Sequence, residues 1–97
     1  MVEEIELQEE MYFWLIGTKI LYYRTLQDMT QEELAKRVHM SRSALSRIEN
    51  GTRNKDLSIC RVMEIARGLH IDSQLLLTYT PEEKRMMWER YKKKWQK

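Results

Sequence analysis

Residues 30–51 read TQEELAKRVHMSRSALSRIENG. Thr30-Gln31-Glu32-Glu33 has the form of a capping box, in which the Thr hydroxyl accepts from the Glu33 amide and the Glu33 side chain reaches back. Leu34 and Val38 follow at i and i+4, an apolar stripe on a short helix. His39-Met40 interrupts it. Ser41 caps a second helix whose Leu45 and Ile48 face inward. Asn50-Gly51 closes that helix, because both residues tolerate the left-handed backbone of a helix C-terminus. The spacing predicts helices over about 31–38 and about 42–50, joined by a tight turn.

The detail of this pair carries chemistry. Ala35 sits where the two helices must cross closely, and a larger side chain there would push them apart. On the second helix Arg42, Ser43, Ser46 and Arg47 fall at i, i+1, i+4 and i+5, so they project from one outer face. All four donate hydrogen bonds. Helix-turn-helix proteins place such a face in the major groove, where an Arg bound to guanine O6 and N7 discriminates by roughly 1–3 kcal/mol.

Outward from this core the chain continues as helix. Residues 3–27 have helix-forming composition and no Pro, with Ile16, Ile20 and Tyr23 on one face. Ile5, Gln8 and Tyr12 extend that spacing only loosely, so residues 1–15 read as an acidic and aromatic extension, a separate turn or a helical arm. Asp56 is placed to cap a fourth helix over Leu57–Leu69, with Ile59, Val62, Met63, Ala66 and Leu69 as its buried stripe and Cys60 as a small buried or boundary residue. Asp72 caps a short fifth helix ending at Leu77. Thr80-Pro81-Glu82-Glu83 combines an N-cap, Pro at the first position and Glu at the third. The last helix, within residues 79–97, is basic and carries Met87, Trp88, Tyr91 and Trp95 on one side.

The 97 residues make one domain with terminal extensions, and three Gly and one Pro fit a helical chain. The single Cys excludes an internal disulfide and fits a reducing, cytoplasmic setting. No stretch approaches the roughly 18 apolar residues of a membrane span. The net charge of +2 is unevenly spread: −4 over residues 1–29, +3 over 30–55, −1 over 56–80 and +4 over 81–97. Local basic segments fit a chain that turns one face to phosphate rather than a uniform polycation. His39 and His70 have no paired ligand spacing, and no nucleophile–base arrangement or Gly-rich phosphate loop appears, so neither enzyme activity, a metal nor a cofactor is expected.

The stretch from Ile16 to Leu76 resembles the Cro/cI-type (Xre-type, lambda-repressor-like) helix-turn-helix domain of phage and bacterial repressors. The resemblance rests on Ile16-Gly17, Ile20 and Arg24, on Met29 through Ala35, on Ser41-Arg42-Ser43, on Leu45 through Gly51, and on Ile65-Ala66 with Leu69. It implies an all-α fold: a five-helix DNA-binding domain over residues 16–78, an N-terminal helical extension and an additional C-terminal helix. It also implies roles. Arg42, Ser43, Ser46 and Arg47 would face bases. Gln31, Ser41, Arg53 and Asn54 would lie by phosphates, with Gln31 also bracing the recognition helix. Arg24 and Glu49 would form a partly buried ion pair. The family pattern is departed from at His39 and Asp28, where Gly is usual, and at residues 53–56, where Pro is common.

The expected function is a transcriptional regulator binding double-stranded DNA sequence-specifically, acting as a repressor on a palindromic operator as a homodimer. Two other readings compete: an antitoxin that also binds a partner toxin, and a protein-interaction module that lost DNA binding. Arg42 and Arg47 argue against the latter. The aromatic-rich ends either pack on the domain or form the dimer interface, for which Trp88, Tyr91 and Trp95 are the candidates.

Overall fold

A computed structural model describes residues 2–52 and 57–95, with side chains over 9–52 and 57–86 and at 88, 89, 92 and 93. These residues form six helices and no strand: α1 (Val2–Leu26), α2 (Gln31–Arg37), α3 (Arg42–Glu49), α4 (Ile59–Gly68), α5 (Gln74–Leu77) and α6 (Pro81–Trp95). None is long and apolar enough to cross a membrane.

Local chemistry sets the helix starts. The Glu33 amide donates to Thr30 Oγ1 at 3.1 Å, and the Thr30 amide to Glu33 Oε1 at 3.4 Å. Ser41 Oγ accepts from the Ala44 amide at 3.0 Å. Asp72 Oδ1 accepts from the Gln74 amide at 2.9 Å, and Thr80 and Glu83 form a second reciprocal box at 3.0 Å in both directions. Each side chain satisfies a donor that a helix start leaves unpaired.

The helix ends share one device. α1, α2, α3 and α4 are each followed by a left-handed residue: Asp28 (φ 53°), His39 (φ 55°), Gly51 (φ 76°) and His70 (φ 57°). The next amide then turns back onto the last helical turn: Met29 N donates to Arg24 O at 3.0 Å, Met40 N to Ala35 O at 2.9 Å, Thr52 N to Arg47 O at 3.2 Å, and Ile71 N to Ala66 O at 3.0 Å. These are Schellman closures. Three of them tuck an apolar residue against the core: Met29 is buried, and Met40 and Ile71 pack beside it.

The main core joins α1 through α5 around Ile20, Leu34, Leu45, Ile65, Leu69 and Leu76, all fully buried. α4 corrects the reading of its sequence. Its cap is Ser58, whose Oγ accepts from the Arg61 amide at 3.1 Å, and Asp56 lies outside the described residues. The buried stripe is Val62, Ile65, Ala66 and Leu69, spaced i, i+3, i+4, i+7. Ile59 (58% exposed) lies in the first turn, beyond the edge of the core, and Met63 (47%) points about 100° away from Val62. Cys60 is exposed, not buried.

Residues 2–15 continue α1 without a break, so the arm is helical rather than a separate turn. Its Met11, Trp14 and Leu15 are buried in a second cluster against Tyr79 and Trp88 of the C-terminal segment. Lys19 Nζ bonds Glu83 Oε2 at 2.6 Å, and the Tyr12 and Tyr79 rings lie 5.5 Å apart. The hydrogen bond from Lys19 and the Thr80 amide hold the Glu83 carboxyl below the usual range. Burial, reinforced by Tyr12, pushes the Tyr79 phenol up to about 12.

Two outcomes follow. Replacing His39 by Gly should raise stability to urea by up to about 1 kcal/mol, because it relieves a left-handed side chain, whereas His39→Val should lower it. Tyr79 keeps its proton more tightly folded than unfolded, so its contribution is complete below pH 10 and is lost as pH rises toward 12. Urea melts across that window should show wild type losing stability relative to Tyr79→Phe, with the difference constant below it.

Candidate nucleic-acid interface

α2 and α3 are positioned by one carboxylate. Glu49, in the last turn of α3, is buried, with its side chain 2% exposed. Arg24 Nε donates to Glu49 Oε2 at 2.7 Å and Arg24 Nη2 to Glu49 Oε1 at 2.9 Å, a two-pronged pair. Gln31 Nε2, at the start of α2, donates to the same Oε1 at 2.9 Å. Arg24 Nη1 also donates to Met29 O at 2.7 Å, so the guanidinium closes the α1–α2 turn. Hydrogen bonding to Glu49 raises the Arg24 pKa, against the pull of burial.

Backbone contact completes the seat. A Cβ on Gly17 of α1 would strike Ile48 O and come within 2.9 Å of Glu49 O, so only Gly lets α1 reach the end of α3. Beyond α3, Gly51 lies on Trp14: an added Cβ there would sit 2.8 Å from Trp14 Cα. Ala35 is buried where α2 meets α3.

With Leu45 and Ile48 turned inward, the outer face of α3 is left to polar side chains. Arg42, Ser43 and Arg47 are exposed and Ser46 is half-buried beside them. Neither Arg42 nor Arg47 is held by another side chain among the described residues. Ser41, exposed at the N-cap, uses its Oγ as acceptor from Ala44 N and keeps its hydroxyl proton. Gln31 is half-buried and tied to Glu49, beside this face rather than on it. Arg53 and Asn54 lie outside the described residues.

Asn50, which the sequence pattern uses only to end α3, is the C-cap of that helix. It is exposed and continues the Arg42–Ser46–Arg47 face at i+8; that spacing was the signal available. Lys36 and Arg37 are exposed, and Arg37 Nη1 donates to Gly68 O at 3.2 Å, at the end of α4. His39 and His70 line one cavity of about 480 Å³ with Glu64 and Arg67, although far apart in sequence. No group of three or more His, Cys, Asp or Glu suited to a metal occurs among the described residues. Trp88 packs on Met11, Trp14 and Leu15 of its own chain, and the Tyr91 and Trp95 side chains lie outside the described set.

Comparison with known proteins places this arrangement. A family model for the helix-turn-helix matches residues 20–75. An HTH-type transcriptional regulator of Methanocaldococcus jannaschii is 32% identical over 65 residues, 67% of this chain and 96% of that protein. The restriction-modification controller protein C.AhdI from Aeromonas hydrophila has a TM-score of 0.61 at 28% identity, over 66% of this chain and 94% of its own. The hypothetical transcription factor NHTF from Neisseria has a TM-score of 0.64 at 20% identity, over 77% of this chain and 83% of its own, a likeness of fold.

The ion pair should respond asymmetrically to substitution. Arg24→Met leaves a buried carboxylate with Gln31 as its remaining side-chain donor and should cost about 3–5 kcal/mol, whereas Arg24→Met with Glu49→Leu should cost much less. Urea unfolding of both variants and Glu49→Leu alone measures the coupling; equal losses would show that the pair is not effectively desolvated.

Proposed function

The chain belongs to the Cro/cI-type helix-turn-helix family of DNA-binding transcriptional regulators, and we propose that it is a repressor binding a palindromic operator as a homodimer. The observation that carries this reading is the exposed face of α3, where Arg42 and Arg47 have no side-chain partner among the described residues, on a helix whose Leu45 and Ile48 are buried in the core. A helix so held is preorganised: its donors need no rearrangement to meet base edges. Arg42 and Arg47 suit guanine O6 and N7, with Ser43 and Ser46 as shorter donors or acceptors. Ser41, and Arg53 and Asn54 beyond α3, serve the sugar-phosphate backbone.

Gln31 has two tasks in this reading. Its amide bonds Glu49 within the fold, and the start of α2 offers its side chain and first amides to a phosphate. One copy reads one half-site. Two half-sites about 34–36 Å apart, one helical turn, match a two-fold dimer. The +3 charge of residues 30–55 supplies the phosphate-directed part of the affinity.

Selection of bound sites from a random DNA pool, followed by binding titrations, tests the assignment. Arg47→Ala should weaken the selected operator by about 1–3 kcal/mol and relax preference at one position of each half-site. Gln31→Ala should weaken all sequences evenly, and affinity should fall steeply with salt through counterion release. If both variants lose affinity equally on every sequence, the division between base and phosphate contacts is wrong.

A further inference from the structure

A cavity of about 600 Å³ opens between α1, α5 and α6. Leu15, Lys19 and Tyr22 of α1 line it. At 100° per residue they point roughly opposite to Gly17 and Arg24, which meet the end of α3. Leu75 of α5 and Met86 of α6 add apolar wall, and both are exposed. Tyr79, between those two helices, is half-buried in the lining.

The polar groups of the cavity are few, and most are already engaged. Lys19 and Glu83, its only charged side chains among the described residues, neutralise each other at 2.6 Å. Thr78 Oγ1 donates to Gln74 O at 2.7 Å, and Thr80 Oγ1 accepts from the Glu83 amide at 3.0 Å. The Tyr79 hydroxyl makes no hydrogen bond among the described residues; only its ring is engaged, by Tyr12 and the Lys19 ammonium. Burial pushes this phenol up to about 12, so it remains a donor well into the alkaline range.

From these walls and this donor we infer a small-molecule site: the cavity takes an uncharged, planar aromatic compound bearing a carbonyl oxygen, its ring against α1 and its oxygen on the Tyr79 hydroxyl. A mostly apolar cavity with a few convergent polar groups is the form ligand sites take, within a usual range of about 300–1,000 Å³. The Tyr22 and Tyr23 rings, edge to face at 5.0 Å, present both an edge and a face for an aromatic ligand to pack on. Covering Tyr22, Leu75 and Met86 removes exposed apolar surface from water. Charge selects against ions of either sign. A carboxylate or an ammonium would have to break the Lys19–Glu83 pair or be desolvated beside it without a partner. A neutral carbonyl needs only a donor, and Tyr79 offers one. The site lies on the side of α1 away from α3, so it is separate from the face of Arg42 and Arg47.

Probes sharing one ring system test this: 2-acetylnaphthalene, 2-naphthoate and 2-naphthylmethylammonium, each titrated into the full chain and followed by methyl resonances in NMR. The ketone should shift Met86 and Leu75 saturably and leave Met63, exposed on α4, unmoved. The two ions should bind about tenfold more weakly or worse, since burying an uncompensated charge is costly. Tyr79→Phe, with circular dichroism confirming its fold, should weaken the ketone about three- to tenfold, the worth of one hydrogen bond. Leu75→Glu, which sets a carboxylate in the cavity wall, should abolish the saturable shift at Met86. A ketone that leaves Met86 and Leu75 unmoved, or that shifts Met63 as much, would overturn the site. Naphthoate or the ammonium binding as well as the ketone, or an affinity unchanged in Tyr79→Phe, would overturn the chemistry assigned to the ligand. The DNA-binding reading is tested separately and does not depend on the result.

Discussion

The carboxylate of Glu49 is the point on which the mutual placement of α1, α2 and α3 depends. It sits at the end of α3 and takes hydrogen bonds from Arg24 of α1 and Gln31 of α2, so three helices meet at one buried charge. A buried charge is costly unless its lone pairs are filled, and here three donors fill them. The gain in net stability is small, since desolvation offsets most of the attraction. What the arrangement supplies is geometry. The bonds are directional, and together with the contact of Gly17 on the Ile48 and Glu49 carbonyls they fix where α3 lies and how it is rotated. The face of Arg42, Ser43 and Arg47 is outward because the opposite face, Leu45 and Ile48, is buried.

The connections are built from equally local rules, used against some resistance. Four successive helices end in left-handed residues, and only Gly51 does so without a Cβ penalty. Asp28, His39 and His70 are residues that tolerate this backbone better than most. In each case the Schellman bond and an apolar residue placed on the core offset the strain. His39 is thus a departure from the family pattern in residue type and not in backbone shape.

What could be read from the sequence follows the range of the interaction. Capping boxes at Thr30 and Thr80, the cap at Ser41 and the stripe of Leu34, Val38, Leu45 and Ile48 involve neighbours within one or two turns, so spacing alone reveals them. The start of α4 was misplaced because Asp56 and Ser58 both suit a cap. The choice is made by the register that turns Val62, Ile65, Ala66 and Leu69 inward, a tertiary fact. The Arg24–Glu49 pair, 25 residues apart, was expected only through the family resemblance. Gln31 bonding that same carboxylate, and Trp14 lying on Gly51, depend on contacts between distant segments that no local pattern encodes. The face of Arg42, Ser43, Ser46 and Arg47 is legible as a face, because its spacing lies within two turns of one helix.

The loose periodicity of α1 has the same origin. A surface helix packed on one side shows a single apolar stripe, and α1 is packed on two. Gly17, Ile20 and Arg24 serve the recognition helix and the core, while Met11, Leu15 and Lys19 serve α6 and the groove beside it. Apolar residues therefore recur around most of the helix, and the single-stripe test fails at the residues that do the most packing. This two-sided use also explains why so small a domain keeps a helix of 25 residues. The second side buries Trp14 under Trp88, and Trp14 in turn lies on the turn that ends α3. The terminal helices are thus continuous with the α2–α3 pair through van der Waals contact, and α1 is the beam that both share.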